Sequence, residues 1–173
     1  RQKSVVEAAI KGADFIIHTA AVVGDPASKL FPEDTKSINE GASYQLIDLA
    51  RQSGIKGFIF FSTCSNYGIA NDLATEESPL SPLSLYAETK VNVERYLIDK
   101  VQDMNWVIGR LSTIYGASPR MRFDLTVNDF TLNAWKKKYL DIFLPESYRP
   151  YIHVFDLANV MMNVIANFDK VKN

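Results

Sequence analysis

The sequence predicts an α/β fold, with helices covering both faces of a parallel sheet. Three observations carry that expectation. Short β-rich runs alternate with helical stretches of ten or more residues, the pattern of βαβ units. The run Gly57-Phe58-Ile59-Phe60-Phe61 is almost wholly apolar, as strands buried on both faces are. No repeat, low-complexity tract or Gly/Ser linker divides the chain.

The elements follow in order. Residues 4–11 read as a short helix, broken by Gly12-Ala13-Asp14. Residues 15–18 form a strand ending in the small residues Thr19-Ala20-Ala21, followed by a loop with Gly24 and Pro26. Over 36–52, Ile38, Ala42, Leu46, Leu49 and Ala50 recur at helical spacing, and Gly54 supplies the stop. After the 57–61 strand comes a polar loop over 63–82. A long helix over 85–101, a strand over 106–109, a helix over 124–137 and a short strand over 139–144 follow. Residues 145–152 read as a loop. The closing helix, 156–168, takes Asp156 as its N-cap and sets Leu157, Val160, Met161, Val164 and Ile165 on one face.

Composition excludes several classes. The 173 residues hold 19 Lys plus Arg and 20 Asp plus Glu, a formal net charge of −1. That leaves no basic footprint for nucleic acid and no polybasic surface for lipid. No apolar stretch approaches the length needed to span a bilayer. The single cysteine, Cys64, excludes a disulfide framework, and His18 and His153 have no partner at metal-ligand spacing. No metal is expected, and a reducing, cytoplasmic setting is.

The most informative segment is Tyr86-Ala87-Glu88-Thr89-Lys90. On a helix, positions i and i+4 share a face, so the Tyr86 phenol and the Lys90 ammonium point the same way. A tyrosine titrates near pH 10, and a neighbouring fixed positive charge favours the phenolate. The pair can move a proton. It also fits an exposed surface pair. Upstream, the 57–61 strand runs into Ser62-Thr63, hydroxyls at the carboxyl end of a parallel strand, where ligands bind in open α/β sheets. Those hydroxyls equally fit loop backbone groups.

Five motifs in order now give a resemblance. They are His18-Thr19-Ala20-Ala21, Ser62-Thr63 with Tyr67-Gly68, Tyr86 with Lys90, Arg110 with Tyr115-Gly116, and Arg149-Pro150-Tyr151-Ile152-His153-Val154 with Asp156. Together the motifs resemble the extended short-chain dehydrogenases/reductases, the branch with nucleotide-sugar epimerases and dehydratases. The resemblance implies a Rossmann-like doubly wound sheet and a bound NAD, with NADP open. It implies Thr63, Tyr86 and Lys90 as catalytic residues, and Thr19, Ala20, Ala21, Tyr86, Lys90 and Ser112 as cofactor-binding. Thr63, Thr113, Asn128 and Arg149 would meet the substrate, Arg149 as a planar clamp on its diphosphate. Asn39 matches a family asparagine near the active site, or simply starts a helix. A homodimer through the 36–52 and 85–101 helices is a further implication.

The departures sharpen the expectation. Family dehydratases carry an Asp-Glu pair after the catalytic Thr, whereas this chain has Cys64 and Ser65. A thiol and a hydroxyl do not replace two carboxylates in acid–base work, so epimerisation of a nucleotide-linked sugar is expected over dehydration. Thr113 stands where many relatives have Asn. The alternatives are net reduction or oxidation of a sugar or other carbonyl, and a non-catalytic nucleotide-binding relative. Arg120 and Arg122, ahead of a helix, suit phosphates, a dimer partner or a solvated loop. No Gly-rich pyrophosphate turn occurs. The expectation is therefore an internal piece of a longer enzyme. Residues 1–115 would be a partial Rossmann domain, and 116–173 would hold part of the substrate lobe and a closing helix.

Overall fold

The structure, a computed structural model, describes residues 2–70 and 72–173. It divides into two units, the first running to Leu111 and including Phe168–Asn173, the second Ser112–Asn167. The first unit contains α1 (Lys3–Ile10), β1 (Phe15–His18), α2 (Asp25–Leu30), α3 (Pro32–Lys36) and a π-helical segment (Ser37–Ala42). It continues through α4 (Ser43–Gln52), β2 (Gly57–Thr63), a 3-10 turn (Cys64–Tyr67), α5 (Leu85–Lys100) and β3 (Trp106–Leu111). The second unit contains β4 (Thr113–Tyr115), α6 (Thr126–Lys137), β5 (Tyr151–His153) and α7 (Val154–Ala166). The short α8 (Phe168–Val171) belongs to the first unit again.

In the first unit β2 lies between β1 and β3, and all three strands are parallel. Strand alternation then sorts the side chains. Ile16, Phe58, Phe60, Trp106 and Ile108 turn to one face, where Ile47 and Ala50 of α4 and Val93 and Leu97 of α5 complete the core. On the other face Phe15 and Gly57, partners in register, meet Phe168 of α8. The Phe15 and Phe168 rings stand edge to face at 5.1 Å. A Cβ on Gly57 would sit 2.4 Å from the Phe168 ring, so glycine is what admits that helix. Helices thus lie on both faces, as the apolar β2 run required.

The helix preceding β2 departs from the expected apolar spacing. Leu49 and Ala50 are buried as expected, but ahead of them the buried positions are Thr35, Asn39, Ser43 and Ile47, while Ile38, Ala42 and Leu46 are only half-buried. The π-helical segment explains the offset. Its wider turn keeps residues four apart on one face, where a regular α-helix would drift.

Other boundaries shift for local reasons. The 25–36 region, expected as loop, forms α2 and α3, each with a proline in the first turn, where its missing N–H costs nothing. The expected strand over 139–144 does not form. Lys138 at φ 63° and Leu144 at φ 53° bracket it with left-handed backbone, and β4 pairs with β5 instead. Asp156 is not the N-cap of the last long helix. α7 begins at Val154, and His153 caps it by accepting the Phe155 N–H on Nδ1 at 3.3 Å. No helix among the described residues is long and apolar enough to cross a membrane.

Candidate active site

The carboxyl ends of β1 and β2 and the first turns of α5 form the candidate site in the first unit. Thr63 closes β2, and its Oγ1 accepts the Ser65 backbone N–H at 3.2 Å, which caps the 3-10 turn. Gly68, at φ 67°, then folds the chain back, and the Ser81 N–H donates to the Asn66 carbonyl at 2.8 Å. A Cβ on Gly68 would lie 2.2 Å from the Ser81 carbonyl oxygen, so this return needs glycine. Thr63 is buried, Cys64 is half-buried and Ser65 is exposed.

α5 starts at Ser84, whose Oγ accepts the Ala87 N–H at 3.3 Å. Tyr86 is half-buried in the first turn, and Lys90, one turn on, is only 3% exposed. The Lys90 Nζ donates to the Phe61 carbonyl at 2.8 Å. It lies 4.7 Å from the Phe60 ring centroid and 6.0 Å from that of Tyr86. The Tyr86–Lys90 pair is therefore not an exposed surface pair. Burial lowers the Lys90 amine from 10.5 to about 8, so it stays mostly protonated at neutral pH.

Asn39 joins two parts of the site. Its Oδ1 accepts the Val22 N–H at 2.8 Å, and its Nδ2 donates to the Val22 carbonyl at 3.0 Å and to Thr89 Oγ1 at 3.1 Å. Thr89 Oγ1 in turn donates to the Tyr86 carbonyl at 2.8 Å. The segment after β1 is thus tied to the turn of α5 that carries Tyr86. Along that segment Thr19 and Ala20 are exposed and Ala21 is half-buried.

His18, at the end of β1, is a structural residue. Its Nε2 meets Ser43 Oγ at 2.8 Å, and its ring lies against Phe58 and Phe60. Burial, and secondarily the Lys90 charge, lowers its pKa from 6.5 to about 4. Between those values the unfolded chain binds a proton that the native state refuses, so stability falls as pH drops from 6.5 to 4. The linked loss is about 3 kcal/mol at most. Urea unfolding of the natural protein and His18→Gln at pH 7 and pH 4.5 checks it. The variant should show the shallower pH dependence, and equal dependence removes the assignment.

The second unit carries the remaining sequence-derived candidates. Ser112 precedes β4, and the Thr113 backbone N–H donates to the Pro150 carbonyl at 3.2 Å. Asn128 is buried and its Nδ2 donates to the Arg122 carbonyl at 3.0 Å, so its amide braces its own loop. Arg122 pairs with Asp124 at 2.6 Å, and Arg149 is exposed.

Sequence reading missed Glu94. It is 1% exposed on α5 and accepts hydrogen bonds from Ser62 Oγ, from Asn66 Nδ2 at 2.7 Å and from Arg110 Nη2 at 2.8 Å. A signal existed: Tyr86, Lys90 and Glu94 follow one another at four-residue steps along one helix face.

Comparison with known proteins identifies the family. A model described as the NAD dependent epimerase/dehydratase family matches residues 1–173. The chain belongs to that family. An uncharacterized UDP-glucose epimerase, YtcB, of Bacillus subtilis (strain 168) is 32% identical over 139 residues, 78% of this chain and 43% of its own length. UDP-arabinose 4-epimerase 1 of Arabidopsis thaliana is 32% identical over 114 residues, 63% of this chain and 27% of its own. Among solved structures, the UDP-N-acetylglucosamine 4-epimerase from Methanobrevibacter ruminantium M1 superposes with a TM-score of 0.80 at 26% identity. It covers 89% of this chain and 52% of its own. TunA, an NAD dependent NDP-hexosamine 5,6-dehydratase, gives a TM-score of 0.80 at 27% identity over 93% and 54% of the two chains. The family's Rossmann-like α/β fold is therefore the fold of this chain, which spans about half the length of these structures.

Proposed function

We propose that the natural protein epimerises a nucleotide-linked sugar by transient NAD(P)-dependent oxidation, with Tyr86 as the base. One observation carries this reading. The buried Lys90 ammonium lies 6.0 Å from the Tyr86 ring centroid and bonds the strand that ends, two residues on, in Thr63. The similarity to UDP-sugar epimerases supports the same choice. So does Cys64-Ser65 after Thr63, which supplies no carboxylate pair for water loss.

The residues present fit a dinucleotide. Thr19 and Ala20 are small, exposed and placed at the carboxyl end of a parallel strand, where no bulky side chain blocks approach to the backbone. These residues with Ala21, Tyr86, Lys90 and Ser112 would hold the cofactor, which when bound supplies the acceptor and then the donor of a hydride.

The chain's own residues do the rest. The Tyr86 phenolate takes the proton of the reacting sugar hydroxyl, and the Lys90 charge favours that phenolate. Thr63 Oγ1 already accepts the Ser65 N–H, which leaves its own proton to hold the sugar oxygen. Tyr86 returns its proton when the carbonyl is reduced from its opposite face, so no cofactor is consumed. Arg149 and Thr113 are the proposed substrate contacts of the second unit, Arg149 for the diphosphate; Asn128, braced to Arg122, would meet the substrate through its remaining polar atom.

A panel of nucleotide sugars, followed by product analysis and absorbance at 340 nm, tests this reading. Epimer formation with no net absorbance change is expected. A second reading, net dehydrogenation, has support from a Mycobacterium tuberculosis 3 beta-hydroxysteroid dehydrogenase/Delta 5-->4-isomerase, 27% identical over 129 residues. Stoichiometric NAD(P)H change would favour it and overturn epimerisation.

A further inference from the structure

We propose that Glu94 is a positioning residue that sets Thr63 against Tyr86 and Lys90 through one buried carboxylate. The inference rests on the roles given above to those three residues. It names a buried group, 1% exposed, outside the five sequence motifs that gave the resemblance.

The geometry is specific. Glu94 lies one helical turn beyond Lys90, on the same face of α5 as Tyr86. Its Oε1 accepts from Ser62 Oγ and from Asn66 Nδ2 at 2.7 Å. Its Oε2 accepts from Arg110 Nε at 3.0 Å and Nη2 at 2.8 Å, two charge-assisted bonds from one guanidinium on β3. Ser62 immediately precedes Thr63, and Asn66 lies in the turn that immediately follows it. Both flanks of Thr63 are thereby tied to the helix that carries Tyr86 and Lys90. Lys90 adds a parallel tie to Phe61 at 2.8 Å. Arg110 extends the frame outward, donating from Nη1 to the Tyr67 hydroxyl at 3.1 Å and the Glu76 carbonyl at 3.0 Å.

Stability alone is a poor reason for this arrangement. Burying an ion pair costs desolvation that its attraction offsets only with good geometry, and apolar replacements are often as stable. Asn66 shows the constraint directly. Its Oδ1 is buried with no hydrogen-bond partner, while its Nδ2 serves both Glu94 and Ser62 at 2.7 and 3.0 Å. An unmatched acceptor is unfavourable, so the amide orientation follows the carboxylate rather than its own satisfaction. What the carboxylate supplies is direction. Reacting groups displaced by about 1 Å lose on the order of 10²-fold in rate.

The test uses the natural protein loaded with cofactor and compares Glu94→Gln, Ser62→Ala and Tyr86→Phe. Glu94→Gln keeps the shape and removes the charge. Its kcat per cofactor-loaded site should fall about 10- to 100-fold, with KM for the nucleotide sugar within about threefold. Ser62→Ala removes one donor, leaves the Glu94–Arg110 pair intact and should lower kcat several-fold at unchanged KM. It keeps the proposal testable if Glu94→Gln fails to fold. A lower melting temperature with kcat unchanged in both variants makes Glu94 merely structural and overturns the proposal. If Tyr86→Phe retains full turnover, the reading of the base fails and the positioning role falls with it. If only Tyr86→Phe loses turnover, the base stands and the Glu94 role alone fails.

Discussion

Replacing Tyr86 with Phe is expected to lower kcat by about 10²–10⁴-fold, the usual contribution of a positioned general base. The ring stays, so packing in the first turn of α5 and the Lys90–ring contact at 6.0 Å are retained. Only the hydroxyl proposed to exchange the proton is lost. KM for the nucleotide sugar and the amount of bound cofactor should therefore change little. Steady-state kinetics on purified variant and parent, with cofactor content measured per chain, reads both quantities. Turnover within threefold of the parent would remove Tyr86 from the mechanism. A loss of bound cofactor as large as the loss of kcat would leave Tyr86 its proposed cofactor-holding role alone.

Phe60→Ala should cost about 3–5 kcal/mol of folding stability, the range for truncating a fully buried phenylalanine. Phe60 is 0% exposed on the central strand, within the cluster formed with Ile47, Ala50, Val93 and Leu97. The ring also lies 4.7 Å from the buried Lys90 ammonium, and its loss removes a favourable cation–π contact there. Urea titration gives the number. Leu73→Ser, at a position 94% exposed, is the control and should stay within about 0.5 kcal/mol. A Phe60→Ala loss below 1 kcal/mol would mean that the β2 face is not the core of this unit.

Much of the architecture was legible because it is written in apolar periodicity. The Gly57-to-Phe61 run announced a strand buried on both faces, and the 85–101 stretch announced α5 within a residue of its observed Leu85–Lys100 bounds. The helix before β2 was legible in extent, and in facing at Leu49 and Ala50 but not ahead of them. Its buried positions Thr35, Asn39 and Ser43 are polar, and each is admitted by a specific partner: the Phe31 carbonyl, Val22 with Thr89, and His18. Hydropathy cannot reveal a polar residue that is buried because something distant satisfies it. The segment over 139–144 failed for the opposite reason. Its apolar residues suit a strand, yet left-handed backbone at Lys138 and Leu144 denies it the extended run.

The chemistry divides along the same line. By itself the sequence determined that an α/β chain carries Thr63 at a strand end and Tyr86 and Lys90 on one helix face, because strand ends and four-residue steps are local geometry. Only the tertiary structure decided that Lys90 is buried against Phe60 and Phe61, that its amine is lowered to about 8, and that Asn39 bridges Val22 to Thr89. It alone assembled Ser62, Asn66 and Arg110 around Glu94. Those contacts join residues 16 to 50 positions apart, and desolvation and hydrogen-bond direction exist only once the strands and helices have packed.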